Sequence, residues 1–343
     1  MGWFEKASRP TRSTVAFILL SLVALGPLGA QQQDWEALLA EGDRALEASD
    51  YETAKLHYQA ALSRSRAFTD QDPRKVAALV HLARLYRAEG DFAEPEKLYH
   101  SALRLSRASS DKESQELARL IFEIGSYYHL RRKYEEAESY YLEAFGARVR
   151  LLGREHHEVA DSINNLAILY ENQARFSKAE SYYDTAIKIR EKTLGPDHLK
   201  TAVTRENFAR LLHKMQRGVE ARTLQEQAAE VRRPLIEKAA GKPVDLGEIY
   251  SAQAGLRPPE IDEQFEPEYT LEARIARHEG ASVLEVEIDA EGRARNVRVV
   301  RPLGLGLDEK AIEAVRRWRF KPASLQGKRV PFRTRLEIKF QLL

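Results

Sequence analysis

The spacing of apolar positions changes twice along the chain. Val15 to Leu25 is apolar at every position but Ser21. From about residue 34 to residue 235, small and apolar residues recur three and four positions apart, which puts them on one stripe of a helix. After Tyr269 the period falls to two. Leu284, Val286 and Ile288 alternate with Glu285 and Glu287, and Phe332, Thr334, Leu336, Ile338 and Phe340 alternate with Arg333, Arg335, Glu337 and Lys339. Those are half-buried strands. The pattern predicts a leader, a helical region and a small mixed domain.

The helical region repeats itself. "YETAKLHYQAAL" from Tyr51, "FAEPEKLYHSAL" from Phe92, "YEEAESYYLEAF" from Tyr134 and "FSKAESYYDTAI" from Phe176 start 41, 42 and 42 residues apart, and "VEARTLQEQAA" from Val219 is a weaker fifth copy. Each strong copy carries an aromatic, a small residue three later (Pro95 in the second copy), a Tyr four after that and an Ala three further on. A second apolar helix precedes each stripe, with Leu82 and Tyr86, Ile124 and Tyr128, Leu166 and Tyr170, and Phe208 and Leu212. One such helix pair cannot bury its own apolar face, but stacked pairs can. This resembles the tetratricopeptide repeat, and "LGREHHEVADSINNLAILYENQARFSKAESYYDTAIKIREKTLGPDH" is similar to its kinesin-light-chain type. The resemblance implies about five helix pairs over residues 34–235. It also implies a groove lined by the first helix of each pair, where His81, Glu123, Asn164, Asn165 and Asn207 are candidate contacts for a peptide.

Residues 236–256 carry Gly241, Pro243 and Gly247 and read as a linker or partly helical bridge, of at most about 70 Å when extended. Beyond it, residues 257–343 predict a short helix, two strands joined by a turn at Asp289–Gly292, a second helix and a last strand. Asp308 is the expected N-cap of that second helix, and Leu307 can staple onto Ile312. The stripe Ala311, Ile312, Val315 and Trp318 faces the sheet. Pro322 turns the chain away from helical geometry at Lys321. Trp318 and Phe320 are therefore expected in the core, with Arg319 among the cations at the negative end of the helix dipole.

"EGRARNVRVVRP", "LDEKAIEAVRRWRFKPA" and "GKRVPFRTRLEIKFQL" together resemble the C-terminal domain of the TonB energy transducers. The expected fold class is thus an all-α tetratricopeptide solenoid followed by a small α+β TonB-like domain with an antiparallel sheet. The resemblance implies recognition by strand addition, in which backbone hydrogen bonds supply affinity and side-chain pockets specificity. The last strand, with Thr334, Arg335, Leu336, Glu337, Ile338, Lys339 and Phe340, is the candidate edge. The implied partners are peptides of an outer-membrane transporter or other envelope protein, with an inner-membrane motor complex and a second copy of the chain as further candidates.

Composition narrows the rest. The chain has no cysteine, which excludes disulfides and thiolate chemistry. Lys6, Arg9 and Arg12 precede the apolar run, and small residues allow cleavage after Ala30, so residues 1–30 read as an export signal. The 21 uncharged residues between Arg12 and Asp34 fit a short retained membrane anchor as well. Either reading places the chain in the periplasm, free or held at the inner membrane. Without residues 1–30, which hold three cations and one acid of the chain's 54 and 52, the two signs balance. That argues against a nucleic-acid partner, which needs a cationic excess. Gly304-Leu305-Gly306 lacks the third glycine of a dinucleotide loop. The pair His156-His157 diverges on a helix. No cofactor, metal, small-molecule substrate or catalytic role is expected.

Overall fold

The structure, a computed structural model, describes residues 27–65, 67–69, 72–109 and 114–342. The leader or anchor expected over residues 1–30 lies outside the described residues as far as residue 26. The cleavage point at Ala30 falls within the backbone of the first helix. Among the described residues no helix is long and apolar enough to cross a membrane.

Among the described residues ten helices come first: α1 Pro27–Glu47, α2 Tyr51–Ser65, α3 Pro73–Ala88, α4 Glu94–Ala108, α5 Gln115–Leu130, α6 Tyr134–Leu152, α7 His157–Asn172, α8 Phe176–Thr193, α9 Leu199–Lys214 and α10 Gly218–Ala240. A mixed region follows: β1 Leu256–Arg257, β2 Glu260–Glu263, α11 Leu271–Ala276, β3 Gly280–Ile288, β4 Ala294–Arg301, α12 Leu307–Arg317, β5 Arg319–Lys321, β6 Ser324–Leu325, β7 Lys328–Arg329 and β8 Phe332–Phe340. This is the expected all-α repeat region followed by a smaller domain with antiparallel sheets. The chain divides into two compact units, Met1–Ala102 and Leu103–Leu343.

In the first unit the stripe Ala54, Tyr58 and Ala61 is fully buried. The Tyr58 hydroxyl donates to Asp43 Oδ1 at 2.6 Å, so its ring is buried at no cost to its polar end. Asp72 caps α3 by accepting from the Arg74 N–H, with Pro73 at the first helical position, where its missing N–H costs nothing. Pro95 has the opposite effect on α4. The second repeat's helix begins at Glu94 instead of at its aromatic Phe92, because a proline is tolerated only in the first turn.

In the second unit α5 pairs with α6, α7 with α8, and α9 with α10. Ala137, Tyr141 and Ala144, then Ala179, Tyr183 and Ala186, are all fully buried. Gly125 on α5 receives the Tyr141 ring; a Cβ there would sit 2.7 Å from it. The repeat's small residues thus set how closely the two helices of a pair approach.

The C-terminal sheet has strand order β4-β3-β8, antiparallel throughout, with β3 in the centre. Two smaller sheets, β2-β5 and β1-β6-β7, flank it. α12 packs on the sheet through Ala311, Ile312 and Val315, all fully buried, and Trp318 and Phe320 are in the core as expected. At the β3–β4 turn Gly292 has φ +77° and receives the Phe320 N–H on its carbonyl at 2.9 Å.

Asp308 departs from its expected role. α12 starts two residues earlier than that cap would set, at Leu307, and its cap position is Gly306 with φ +79°. Asp308 is 1% exposed and serves the loop before its own helix, accepting from the N–H of Leu303 and of Gly304 at 2.8 Å each. Ser282 Oγ on β3 donates to it as well, at 2.6 Å. A buried carboxylate needs several donors, and the turning loop supplies them at shorter range than the helix could. In the segment expected as a linker or partly helical bridge, α10 takes the first residues up to Ala240. Val244 then exchanges hydrogen bonds with the Asn296 side chain, at 2.8 and 2.7 Å, so this segment lies along the C-terminal domain.

Candidate functional site

β8 is an edge strand. On its inner side it pairs with β3 from Gly280↔Phe340 to Ile288↔Phe332. Phe332, Ile338 and Phe340 are buried, Thr334 and Leu336 half-buried, and Arg333, Arg335, Glu337 and Lys339 exposed. Tyr269 meets the Phe340 ring edge-on at 5.6 Å and anchors the strand's far end. On its outer side one residue touches the strand's start. Tyr250 forms a parallel bridge to Phe332, donating to the Pro331 carbonyl at 3.0 Å and accepting from the Arg333 N–H at 2.8 Å.

That bridge fixes the direction of the remaining backbone groups. The Arg333 N–H points outward, and alternation along a strand sends the N–H and C=O of Arg335, Glu337 and Lys339 the same way. Among the described residues no strand pairs with this side from Thr334 to Phe340. The solvent face beside it is charged. Arg333 lies 2.6 Å from Glu287, Arg335 3.9 Å from Glu285, and Glu337 3.6 Å from Arg301. Charges of this kind blunt non-specific edge pairing. The other candidate residues of this domain hold the sheet. Trp318 Nε1 donates to the Phe265 carbonyl at 2.7 Å. Arg319 is exposed and donates to the carbonyls of Arg317 and Trp318 at 3.2 and 3.1 Å. Pro322 is half-buried after β5.

The groove candidates fall in different surroundings. His81 Nδ1 lies 2.9 Å from Asp43 Oδ1, and its ring tilts against Tyr58 at 5.2 Å. Glu123 is half-buried. Asn164 donates to Asn165, which donates to the Tyr141 hydroxyl at 3.3 Å, and Asn207 accepts from Arg210 at 2.7 Å. All three asparagines are buried. Asn165 bridges α7 to α6 of the preceding repeat, whereas Asn164 and Asn207 bond within their own helices.

Two positions of the repeat carry polar work that the apolar pattern does not reveal. His156 and His198, 42 residues apart, cap α7 and α9 through their ring Nδ1, which accepts from the N–H two residues on. Arg148, Arg190 and Arg232 are also 42 apart and all buried. Arg148 reaches the start of α7, donating to the Glu158 carbonyl and to Ser162 Oγ, both at 2.9 Å. Arg190 makes the equivalent bonds to the Lys200 carbonyl at 2.6 Å and to Thr204, and adds Asp161 at 2.7 Å. Arg232 has no further repeat to hold. It takes both oxygens of Glu206, at 2.6 and 2.9 Å, and donates to Glu309 on α12 at 3.1 Å. Burial pushes the Glu206 carboxyl up, and Arg232 works against that shift. A fixed cation in an otherwise variable helix is the signal that finds this ladder in the sequence.

Elsewhere in the second unit, Glu171 is buried and accepts from Arg210 at 2.8 and 3.0 Å and from Tyr183 at 2.7 Å, with Lys214 Nζ at 2.9 Å. Burial alone would raise its pKa; Arg210 and Lys214 outweigh that and hold it below the ordinary range. His129 is buried and its pKa is pulled down to about 3, by burial and then by Arg277. Among the described residues no group of three or more acidic or histidine side chains could hold a metal ion.

Comparison with known families gives both halves of the chain. The Gram-negative bacterial TonB protein C-terminal model matches residues 266–342, and the tetratricopeptide repeat model matches residues 74–148, 116–192 and 158–233. The chain joins a tetratricopeptide repeat array to a TonB C-terminal domain. The TonB domain is 32% identical over 87 residues to Protein TonB of Vibrio cholerae serotype O1; the match spans 25% of this chain and 36% of that protein. The array is similar in fold to BtubC of P. vanneervenii, with a TM-score of 0.52 at 22% identity, covering 66% of this chain and 97% of that one. A putative kinesin light chain of Podosopora anserina gives 0.50 at 18%, covering 62% and 99%. The Rap conjugation gene regulator of plasmid pLS20, solved in complex with the Phr* peptide, gives 0.52 at 14%, covering 66% and 61%. Both are domain types that mediate protein–protein interaction.

Proposed function

We propose that the chain is an adaptor of the cell envelope. Its TonB domain takes an extended peptide of an outer-membrane transporter or other envelope protein along the outer side of β8, and the array carries that domain. The observation behind this reading is the row of outward backbone groups at Arg335, Glu337 and Lys339, beside a strand fixed on its inner side by nine paired residues. Backbone pairing at such an edge gives affinity, and the alternating charges give register. The export-type sequence of residues 1–30 supports the envelope location.

Proline separates this reading from a mere charged surface. Glu337→Pro deletes one outward N–H and leaves the β3 side intact, since an edge strand tolerates proline where its N–H faces out. With a photo-crosslinking residue at Lys339 in living cells, the native chain and Glu337→Ala should both capture an envelope protein, and Glu337→Pro should lose it. Equal capture by all three would reject strand addition at this edge.

Energy transduction is the second reading, supported by the match to Protein TonB. It requires residues 1–30 to be kept as an inner-membrane anchor that engages a motor complex. A native mass lacking those residues, in the periplasmic fraction, would leave only the adaptor.

A further inference from the structure

The ligand of the array's groove is the open question of this architecture, and the chain carries a candidate. α11 of the TonB domain lies against α5 and α7, the first helices of two successive repeats. Ile275 and Ala276 are buried. Asn172, at the end of α7, donates to the Ile275 carbonyl at 3.3 Å while its amide lies 2.8 Å from His129 Nε2 on α5. A second contact is built on the arginine ladder. Its third rung, Arg232, reaches Glu309 in the first turn of α12 while it holds Glu206. At the other end of α12, Arg316 donates to the Ala239 carbonyl of α10 at 2.8 Å. The pairs 232–309 and 239–316 show α12 running alongside α10 in the same direction. A repeat helix would fold back instead. The TonB domain therefore does not extend the solenoid; it is held by it.

We propose that the array binds its own TonB domain as a latch, with α11 as the occupant of the groove between α5 and α7. A peptide of another protein could enter that groove only after the domain had left. This does not rest on strand addition at β8. The polar bookkeeping favours a reversible contact. If the domain departs, Arg232 keeps Glu206 and Asn172 keeps His129, so no charge is stranded on the array. Glu309 and Arg316 return to water. Polar interfaces of this kind between domains are ones that open.

The absence of cysteine makes the test direct. Spin labels at Lys188→Cys on α8 and Lys328→Cys on β7, both exposed sites, would report one narrow distance in the full-length chain. Glu309→Lys sets a cation against Arg232 and should lower the docked-to-free ratio at least tenfold, seen as a broad long-distance population. Asn172→Ala, made on the array side, should move the distribution the same way. Trp318 fluorescence, read in chains whose Trp3 and Trp35 are replaced by Phe, would show that the domain itself is folded in each variant. A broad distribution in the parent chain would overturn the latch. So would a distribution left narrow by both folded variants.

Discussion

The array and the TonB domain bury polar groups in opposite ways. In the array, ionised side chains lie between repeats: Arg148 and Arg190 on successive helix starts, and Glu171 with Arg210 between α7 and α9. In the TonB domain the centre is apolar, with Leu284, Ile312, Val315, Trp318 and Phe320, and buried acids such as Asp289 and Asp308 hold the N–H groups of turns and loops. The difference follows from what each must specify. A repeat touches only its neighbours, and stripes of alanine would allow helix pairs to slide. A guanidinium that must meet one carbonyl and one hydroxyl fixes the register. A small sheet domain has one centre that closes on itself, and its weak points are the tight turns that let it close.

The largest effect is therefore expected at such a turn. A Cβ on Gly292 would stand 1.8 Å from the Phe320 carbonyl oxygen, in backbone geometry that already disfavours a side chain. Gly292→Ala should cost more than about 4 kcal/mol and unfold the TonB domain. With Trp3 and Trp35 replaced by Phe, circular dichroism should keep the helical signal of the array while Trp318 fluorescence loses its buried position. Loss of both signals together would show that the two regions do not differ in this way.

Arg190→Ala is the matching break in the array. It removes one of the two cations that pair with Asp161, the other being Lys200. Breaking a buried pair on one side costs about 3 kcal/mol or somewhat more. Urea unfolding followed by helical signal should shift, while Trp318 fluorescence in the folded baseline stays unchanged. A shift below about 1 kcal/mol would mean that the ladder is ornamental and that apolar packing sets the register.

A pH series sharpens the same contrast at lower amplitude. His129 titrates near 6.5 when unfolded and at about 3 when folded. The unfolded chain thus binds the proton first. Stability from this site is complete above about pH 6.5 and declines as the pH falls towards 3, by about 1.4 kcal/mol per unit. Between pH 6.5 and 5 the array should lose about 2 kcal/mol, and His129→Gln should flatten that slope. An array whose urea midpoint is the same at both values would refute it.

Much of this molecule is legible from spacing alone. The aromatic–small–Tyr–Ala stripe gives the helix pairs, and strict alternation in Phe332–Phe340 gives the edge strand, because burial on one side imposes those periods. Asp308 misleads because an acid before a helix is most often a cap, and only the path of the preceding loop shows which N–H groups it meets. The latch is out of reach for a different reason. Asn172 and Ile275 are 103 residues apart, and Arg232 and Glu309 are 77 apart. No periodicity links them, since the two regions follow different rules.

The asparagines give the finest test of the comparison. Seen as groove residues, Asn165 and Asn207 could become alanine with thermal stability unchanged and ligand binding weakened. Their placement argues otherwise. Asn165 donates to the hydroxyl of the fully buried Tyr141, and Asn207 accepts from Arg210, which also holds Glu171. Removing one buried hydrogen-bond partner costs about 1 kcal/mol and leaves the other group unsatisfied. Asn165→Ala should lower stability by that amount, and Tyr141→Phe in the same chain should recover part of it, since the orphaned hydroxyl is then gone. A double-mutant cycle with no coupling would free Asn165 from this structural duty and return it to the groove as a candidate for ligand binding.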